Sequence, residues 1–218
     1  MRFHDRQDAG RRLAERLSPY RSQRPIVLGL PRGGVPVACE IARALEAPLD
    51  IFVVRKLGAP FQPELGIGAI AEGGVVIIDE RAERLGVSPR EIRRIERKEE
   101  AELERRVRRF RGGAPLVPVR GQAVILVDDG LATGGTALAA IQALRRLGVG
   151  RLVLAVPVIP VENVERFARE VDELIYLKAV EAMLAIGDWY EDFTQVTDEE
   201  VVALLEHART VQAEPAQV

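Results

Sequence analysis

Short apolar runs alternate with amphipathic stretches along most of this chain, and that alternation restricts it to a layered α/β architecture. Residues 26–30, 49–54, Ala123–Val127 and 152–156 read as buried strands, with residues 173–177 as a last short one. Between and after them, residues 35–45, 136–147 and 161–170 read as helices. Strands that alternate with helices imply a doubly wound, mainly parallel sheet flanked by helices. Ligands are then expected in the crevice beyond the carboxyl ends of the strands.

The remaining segments decorate that frame. Phe3, Ala9, Leu13, Ala14 and Leu17 recur at helical spacing among charges, so residues 3–17 read as an amphipathic helix stopped by Ser18 and Pro19. Residues 66–78 carry Gly73-Gly74 between apolar runs and predict a β-hairpin. From Pro89 to Arg111 nearly every residue is charged, yet Ile92, Ile95, Leu103, Val107 and Phe110 fit one narrow helical stripe. Thr197 and Glu200 have the form of a capping box that opens a last helix through His207, followed by a frayed tail over residues 213–218. With 218 residues and 47% apolar content, the chain is expected to form a single domain over residues 1–218. A helical insertion at 89–111 and a small hood at 178–197 complete it.

Composition excludes several roles. A net charge of −2 gives no basic excess for a general nucleic-acid partner. The single cysteine, Cys39, cannot form a disulfide within one chain and fits a reducing compartment. No apolar run reaches membrane-spanning length, and residues 1–16 lack the apolar core of a secretory signal. A cytoplasmic location with no membrane partner is expected.

The chemistry concentrates in residues 124–136. Apolar residues lead into Asp128-Asp129, then into Gly130-Leu131-Ala132-Thr133-Gly134-Gly135-Thr136 and a helix start. Gly134 and Gly135 permit positive φ and close backbone approach, so that successive N–H groups and the helix N-terminus can surround a phosphate. Thr133 and Thr136 add hydroxyl donors. Two adjacent carboxylates at a strand end repel each other unless donors occupy them, and ribose hydroxyls are suitable donors.

This run resembles the signature of type I phosphoribosyltransferases, which bind 5-phosphoribosyl 1-diphosphate (PRPP); Gly130 alone is unusual, where a bulkier apolar residue is common. The resemblance implies that Asp128 and Asp129 hold the ribose hydroxyls and that Ala132 through Thr136 wrap the 5-phosphate. Residues Leu30-Pro31-Arg32-Gly33-Gly34 are similar to the family's pyrophosphate loop, often built on a non-proline cis peptide. Arg55-Lys56, at the end of the expected second strand, resembles a pair that meets pyrophosphate in adenine and orotate enzymes. By this resemblance Asp128, Asp129, Arg32 and Lys56 form the catalytic set, and Arg32, Gly33, Arg55 and Lys56 bind pyrophosphate. Mg²⁺ comes as the cofactor with PRPP, without a dedicated protein cage.

The implied reaction moves the phosphoribosyl group to a nitrogen nucleophile, most simply a nucleobase, with release of pyrophosphate. Ala132 looks more like the adenine enzymes than the 6-oxopurine enzymes, where an aspartate is common. Trp189, Tyr190 and Phe193 in the hood are candidates to stack on a planar acceptor, or else to pack the C-terminal helix onto the core. The charged helix is open to three roles: a lid, a subunit contact in a homo-oligomer, or a solvated face. A PRPP sensor of the same fold, without chemistry, is the main rival. A PRPP-making diphosphokinase normally has two related domains, and a plain nucleotide-binding domain would show a Gly-x-Gly-x-x-Gly or Walker run, which is missing here.

Overall fold

Local capping sets where the chain first becomes helical. In the computed structural model, which describes residues 2–213, α1 (Arg6–Leu17) starts at Asp5, whose carboxylate accepts the Asp8 N–H at 2.7 Å. Phe3, expected within this helix, precedes it and bridges to Tyr190. A 3-10 turn at Ser18–Gln23 follows α1. Then come β1 (Ile26–Gly29), α2 (Gly34–Leu45) and β2 (Leu49–Ile51).

The strand expected over 49–54 is divided. The Phe52 N–H still closes the ladder of β2 on β1 at Gly29 O, 3.1 Å away, but the Val53 N–H leaves it for the Glu72 carboxylate at 2.8 Å. With its ladder partners exchanged, the chain enters a separate antiparallel sheet of β3 (Val54–Ala59), β4 (Gln62–Ala71) and β5 (Val75–Ile78). Gly73 and Gly74, at φ +80° and +72°, make the β4–β5 turn that was expected there.

After a short α3 (Arg81–Arg84), α4 spans Pro89–Arg111, opened by a Ser88–Glu91 capping box and closed by Gly112 at φ +63°. Next come β6 (Ala123–Val127), α5 (Gly135–Leu147), β7 (Arg151–Pro160), α6 (Val161–Ala168), β8 (Glu173–Val180) and α7 (Asp198–Ala213). β7 and β8 outrun their expected ends because pairing continues from Val158↔Lys178 to Pro160↔Val180. Thr197 and Glu200 form the expected box, and α7 runs past His207 to Ala213. Beyond Ala213 the expected tail lies outside the described residues.

The main sheet has the order β2-β1-β6-β7-β8 with every pair parallel. Successive strand residues face opposite layers. Val27, Ile125 and Val153 pack with α1, α2 and α7, whereas Leu28, Leu126 and Leu154 pack with α5. Ile125 and Leu126 are both fully buried, each contributing about 1.5–3 kcal/mol of transfer free energy. α2 carries the chain from β1 outward to β2, whereas α5 and α6 carry it the other way from β6. The order therefore reverses between β1 and β6, which opens a crevice at their carboxyl ends.

The apolar stripe of α4 faces its own chain. Leu103 and Phe110 are buried, and Ile92, Ile95 and Val107 pack on the same layer, against β3 and α7. That stripe is thereby largely covered within the chain, with Ile92, Ile95 and Val107 still partly exposed. At the end of α4, Arg111 is fully enclosed. Its Nε donates to Asp50 Oδ1 at 2.9 Å, and its Nη2 donates to the Glu72 carboxylate at 2.7 and 2.9 Å and to Ile51 O at 3.1 Å. This cluster ties β2, the small sheet and α4 together. Among the described residues, no helix is long and apolar enough to cross a membrane, and no three His, Cys, Asp or Glu side chains gather as a metal site.

Candidate functional site

Two loops meet in the crevice. The first leaves β1 through Leu30, Pro31, Arg32 and Gly33 into α2, with a cis peptide between Pro31 and Arg32. The Leu30 N–H donates to Val127 O at 2.9 Å, which locks this loop beside the end of β6. The second is the Asp128–Thr136 turn. They approach so closely that only glycine fits between them: a Cβ on Gly33 would lie 1.9 Å from Asp129 Oδ2, and one on Gly34 would lie 2.6 Å from Val127 O.

The acid pair has donors already within the chain. Asp128 Oδ1 accepts the Asp129 N–H at 2.9 Å. Asp129 is 8% exposed, its Oδ2 accepts from Arg6 Nε at 2.8 Å, and its backbone carbonyl accepts from the Tyr190 hydroxyl at 2.7 Å. Arg6 also donates through Nη1 to Thr194 O at 2.8 Å, and its guanidinium sits 3.8 Å over the Phe193 ring. Arg6, a donor within the chain, thus already occupies part of the acceptor capacity of Asp129, and ribose hydroxyls would have to fit beside it. Loss of water around its carboxyl group, and then the charge of Asp129, push Asp128 well above the usual carboxylate range, and Arg6 offsets part of this. Burial, followed by the nearby Asp129, raises the Tyr190 phenol far enough that it remains a donor throughout the accessible pH range.

Beyond the acids the turn opens toward solvent. Leu131 is buried and donates to Val158 O at 2.9 Å, and Asn163 Nδ2 holds Ala132 O at 2.8 Å. Ala132, Thr133, Gly135 and Thr136 are exposed, and among the described residues neither threonine hydroxyl has a partner. Gly134 caps α5 at φ +69°, and no side chain caps the helix. Its first N–H groups therefore face outward, as an anion requires. Gly134 alone needs the left-handed conformation; Gly135 is helical with open space around it. The unusual Gly130 also has a steric reason, because a Cβ there would lie 2.7 Å from Ile186 Cγ2 of the hood.

The other expected site residues divide. Arg32 lies on the first loop, with Nη1 3.5 Å from Asp198 Oδ1 at the start of α7. Arg55 and Lys56 sit in β3, inside the small sheet and not at the carboxyl end of a parallel strand. Arg55 donates twice to Glu99 of α4, at 2.7 and 3.0 Å, and Lys56 donates to Glu64 O at 2.9 Å. They line an open groove of about 720 Å³ with Arg94 and Lys98, and their partners lie on α4 and β4, none on the Asp128–Thr136 turn. In the hood, Tyr190 is buried between Phe3 and Phe193, with ring centroids 5.4 and 5.0 Å away. Tyr190 and Phe193 are thus both engaged in packing contacts within the hood, with Phe193 partly exposed. Trp189 differs, because its Nε1 is enclosed without a partner and Lys178 lies 4.3 Å over its ring.

As residues of the site, Arg6 and Asn163 escaped the sequence reading, and Phe3 was read only as part of a helical stripe. Arg6 stands among solvated charges at a helix start, with no local pattern to mark it. Gly130 did carry a signal, since a glycine in place of a bulky residue implies a close neighbour.

The family described as "Phosphoribosyl transferase domain" matches residues 62–200. A Mycobacterium tuberculosis H37Rv protein with the provisional name phosphoribosyl transferase Rv0571c is 49% identical over 209 residues, 94% of this chain and 47% of that protein. The corresponding protein of strain CDC 1551, MT0597, matches to the same extent, so the chain spans about half the length of the curated relatives it matches. The crystal structure of TT1426 from Thermus thermophilus superposes with a TM-score of 0.85 at 42% identity, covering 95% of this chain and 99% of that one. By the match to residues 62–200 and the geometry of its crevice, the chain belongs to the phosphoribosyl transferase domain family.

Proposed function

We propose that this protein binds PRPP at the Asp128–Thr136 turn and transfers its phosphoribosyl group to a nitrogen nucleophile, a nucleobase in the simplest case, releasing pyrophosphate. The observation that carries the reading is the uncapped start of α5, with Thr133 and Thr136 unengaged, directly after an acid pair at the β1/β6 crevice. The 5-phosphate would take the N–H groups and hydroxyls of Thr133 through Thr136. Asp128, the acid with no cation bonded to it, would accept from the ribose hydroxyls, with Asp129 beside it.

Arg32 and the Gly33 backbone, on the facing loop, would receive the diphosphate. The bond from the anomeric carbon to the diphosphate oxygen breaks, its electron pair leaves with pyrophosphate, and the nitrogen lone pair forms the new bond. Asp128 and Asp129 place negative charge beside the cationic sugar of the transition state, while Arg32 stabilises the departing anion. Lys56 and Arg55 would join only if the β3–β4 arm approaches the crevice. Mg²⁺ would arrive with the diphosphate and keep most of its water, without a dedicated protein cage, and the carboxylates of Asp128 and Asp129 are the acidic oxygens on that side of the crevice. When bound, the ion neutralises diphosphate charge. A cytoplasmic location fits this substrate.

One observation favours a non-catalytic PRPP sensor instead: Tyr190 and Phe193 are engaged in packing and leave Trp189 as the hood aromatic for an acceptor. A screen of nucleobases and small amines with PRPP and Mg²⁺, reading pyrophosphate release, separates the two. Release with one acceptor, abolished by Asp128→Asn, supports transfer. PRPP binding without release across the screen supports the sensor, and absence of PRPP binding sinks both.

A further inference from the structure

We infer that Asn163 of α6 is a positioning residue for the sugar 5-phosphate: it pins the Ala132 carbonyl from beneath the turn and so aims the Thr133 N–H at the anion. The inference rests on the PRPP reading and goes beyond it, because Asn163 lies outside the signature, 31 residues away in sequence.

The turn is held at three points. The Leu131 N–H donates to Val158 O at 2.9 Å, near the carboxyl end of β7. Asn163, a residue only 8% exposed, donates through Nδ2 to Ala132 O at 2.8 Å. Phe167, one turn further along α6 on the same face, lies so close to Gly134 that a Cβ there would stand 2.3 Å from its Cζ. α6 is thus the floor of the turn, and Asn163 supplies a polar contact between them.

The consequence follows from peptide geometry. The Ala132–Thr133 bond is trans, so its C=O and N–H point in opposite directions. A carbonyl drawn down onto α6 therefore turns the Thr133 N–H away from the floor, to the side on which Thr133 is exposed. Among the described residues that N–H has no partner, so it is free to meet a ligand. Without the Asn163 donor, Ala132 O would be left unsatisfied beneath the turn, and rotation of the peptide plane would carry it to water. The cup would then offer an acceptor where a phosphate needs a donor.

The test compares wild type, Asn163→Leu and Asn163→Ala by calorimetric titration with ribose 5-phosphate and, separately, with pyrophosphate and Mg²⁺. Leucine keeps the branched shape of asparagine without its donor and brings no charge. Alanine adds no bulk, so it repeats the test should the leucine variant fail to fold. Ribose 5-phosphate should bind about tenfold more weakly in both variants, the scale of one hydrogen bond to a charged group. Pyrophosphate, which the PRPP reading sends to the facing loop, should bind as in wild type. Unchanged affinity for ribose 5-phosphate, or an equal loss for both ligands, overturns the inference. A second arm uses no ligand, so that failure of the PRPP reading stays separate. In amide NMR spectra of the free protein, the Thr133 resonance should shift and broaden in Asn163→Leu as the peptide samples both orientations, while that of Leu131, held by Val158, stays in place. A Thr133 resonance that does not change means that Asn163 does not orient this peptide, which also overturns it. A wild type that takes up neither ligand sinks the PRPP reading and the ligand half of the inference with it, and the amide arm then decides what Asn163 does to the turn.

Discussion

Replacing Arg111 with methionine removes the cation bonded to a fully enclosed pair of acids. The Arg111, Asp50 and Glu72 side chains are 1%, 3% and 5% exposed, so water cannot take over the role of the guanidinium. Burial already raises the Glu72 carboxyl above its ordinary range, with Arg111 the largest opposing influence. Breaking such a cluster by removing one partner costs about 3–5 kcal/mol, because charge stays buried without compensation. For a domain of this size that corresponds to a fall in melting temperature of roughly 6–20 °C. The sign with pH follows from linkage. In the variant Glu72, already raised by burial, loses the influence that most opposes that rise, so the penalty is full at neutral pH and is relieved as pH falls and Glu72 takes up a proton. Thermal and urea unfolding from pH 4.5 to 8 reads both effects. Adding Asp50→Asn and Glu72→Gln to Arg111→Met should recover much of the loss. A neutral-pH stability within about 0.5 kcal/mol of wild type, the scale of an ordinary surface substitution, would refute the reasoning.

Gly134→Ala places a Cβ at φ +69° and 2.3 Å from Phe167 Cζ. The left-handed backbone costs about 1–2 kcal/mol and overpacking about 1–3 kcal/mol, so an unchanged melting temperature would contradict the cap geometry. Asp128→Asn should raise the melting temperature while removing PRPP binding, since an ionised Asp128 is a penalty in the free protein above the unfolded carboxylate range. A variant that binds PRPP, or that is less stable, counts against the role. PRPP with Mg²⁺ should favour ionised Asp128, so that affinity falls toward acid pH and binding releases protons. Calorimetry in two buffers of different ionisation heat checks this, and the absence of release would contradict it. Tyr190→Phe leaves Asp129 O without its hydroxyl donor and should cost about 1–3 kcal/mol in urea unfolding.

What the sequence made legible is what short-range patterning encodes. Ala123–Val127 and Pro89–Arg111 have the bounds expected of them, because a continuous apolar run and a capped, glycine-terminated helix carry their own punctuation. The division of residues 49–54 was hidden, since it depends on Glu72 capturing the Val53 N–H from 19 residues away. For the same reason Arg55 and Lys56 fell in a different sheet from the one expected. The signature turn was readable from its aspartates, glycines and threonines. Its controls were not, because Arg6 and Tyr190 reach Asp129 across 123 and 61 residues and leave no local spacing to find.

The central claim is that the start of α5 and the acid before it hold a sugar phosphate. A crystal structure with PRPP and Mg²⁺ tests it most directly. The 5-phosphate is predicted on the N–H groups and hydroxyls of Thr133 through Thr136, with the ribose against Asp128 and the diphosphate toward Arg32 and Gly33. PRPP bound elsewhere, or a turn collapsed onto its own side chains with no space for an anion, would contradict it.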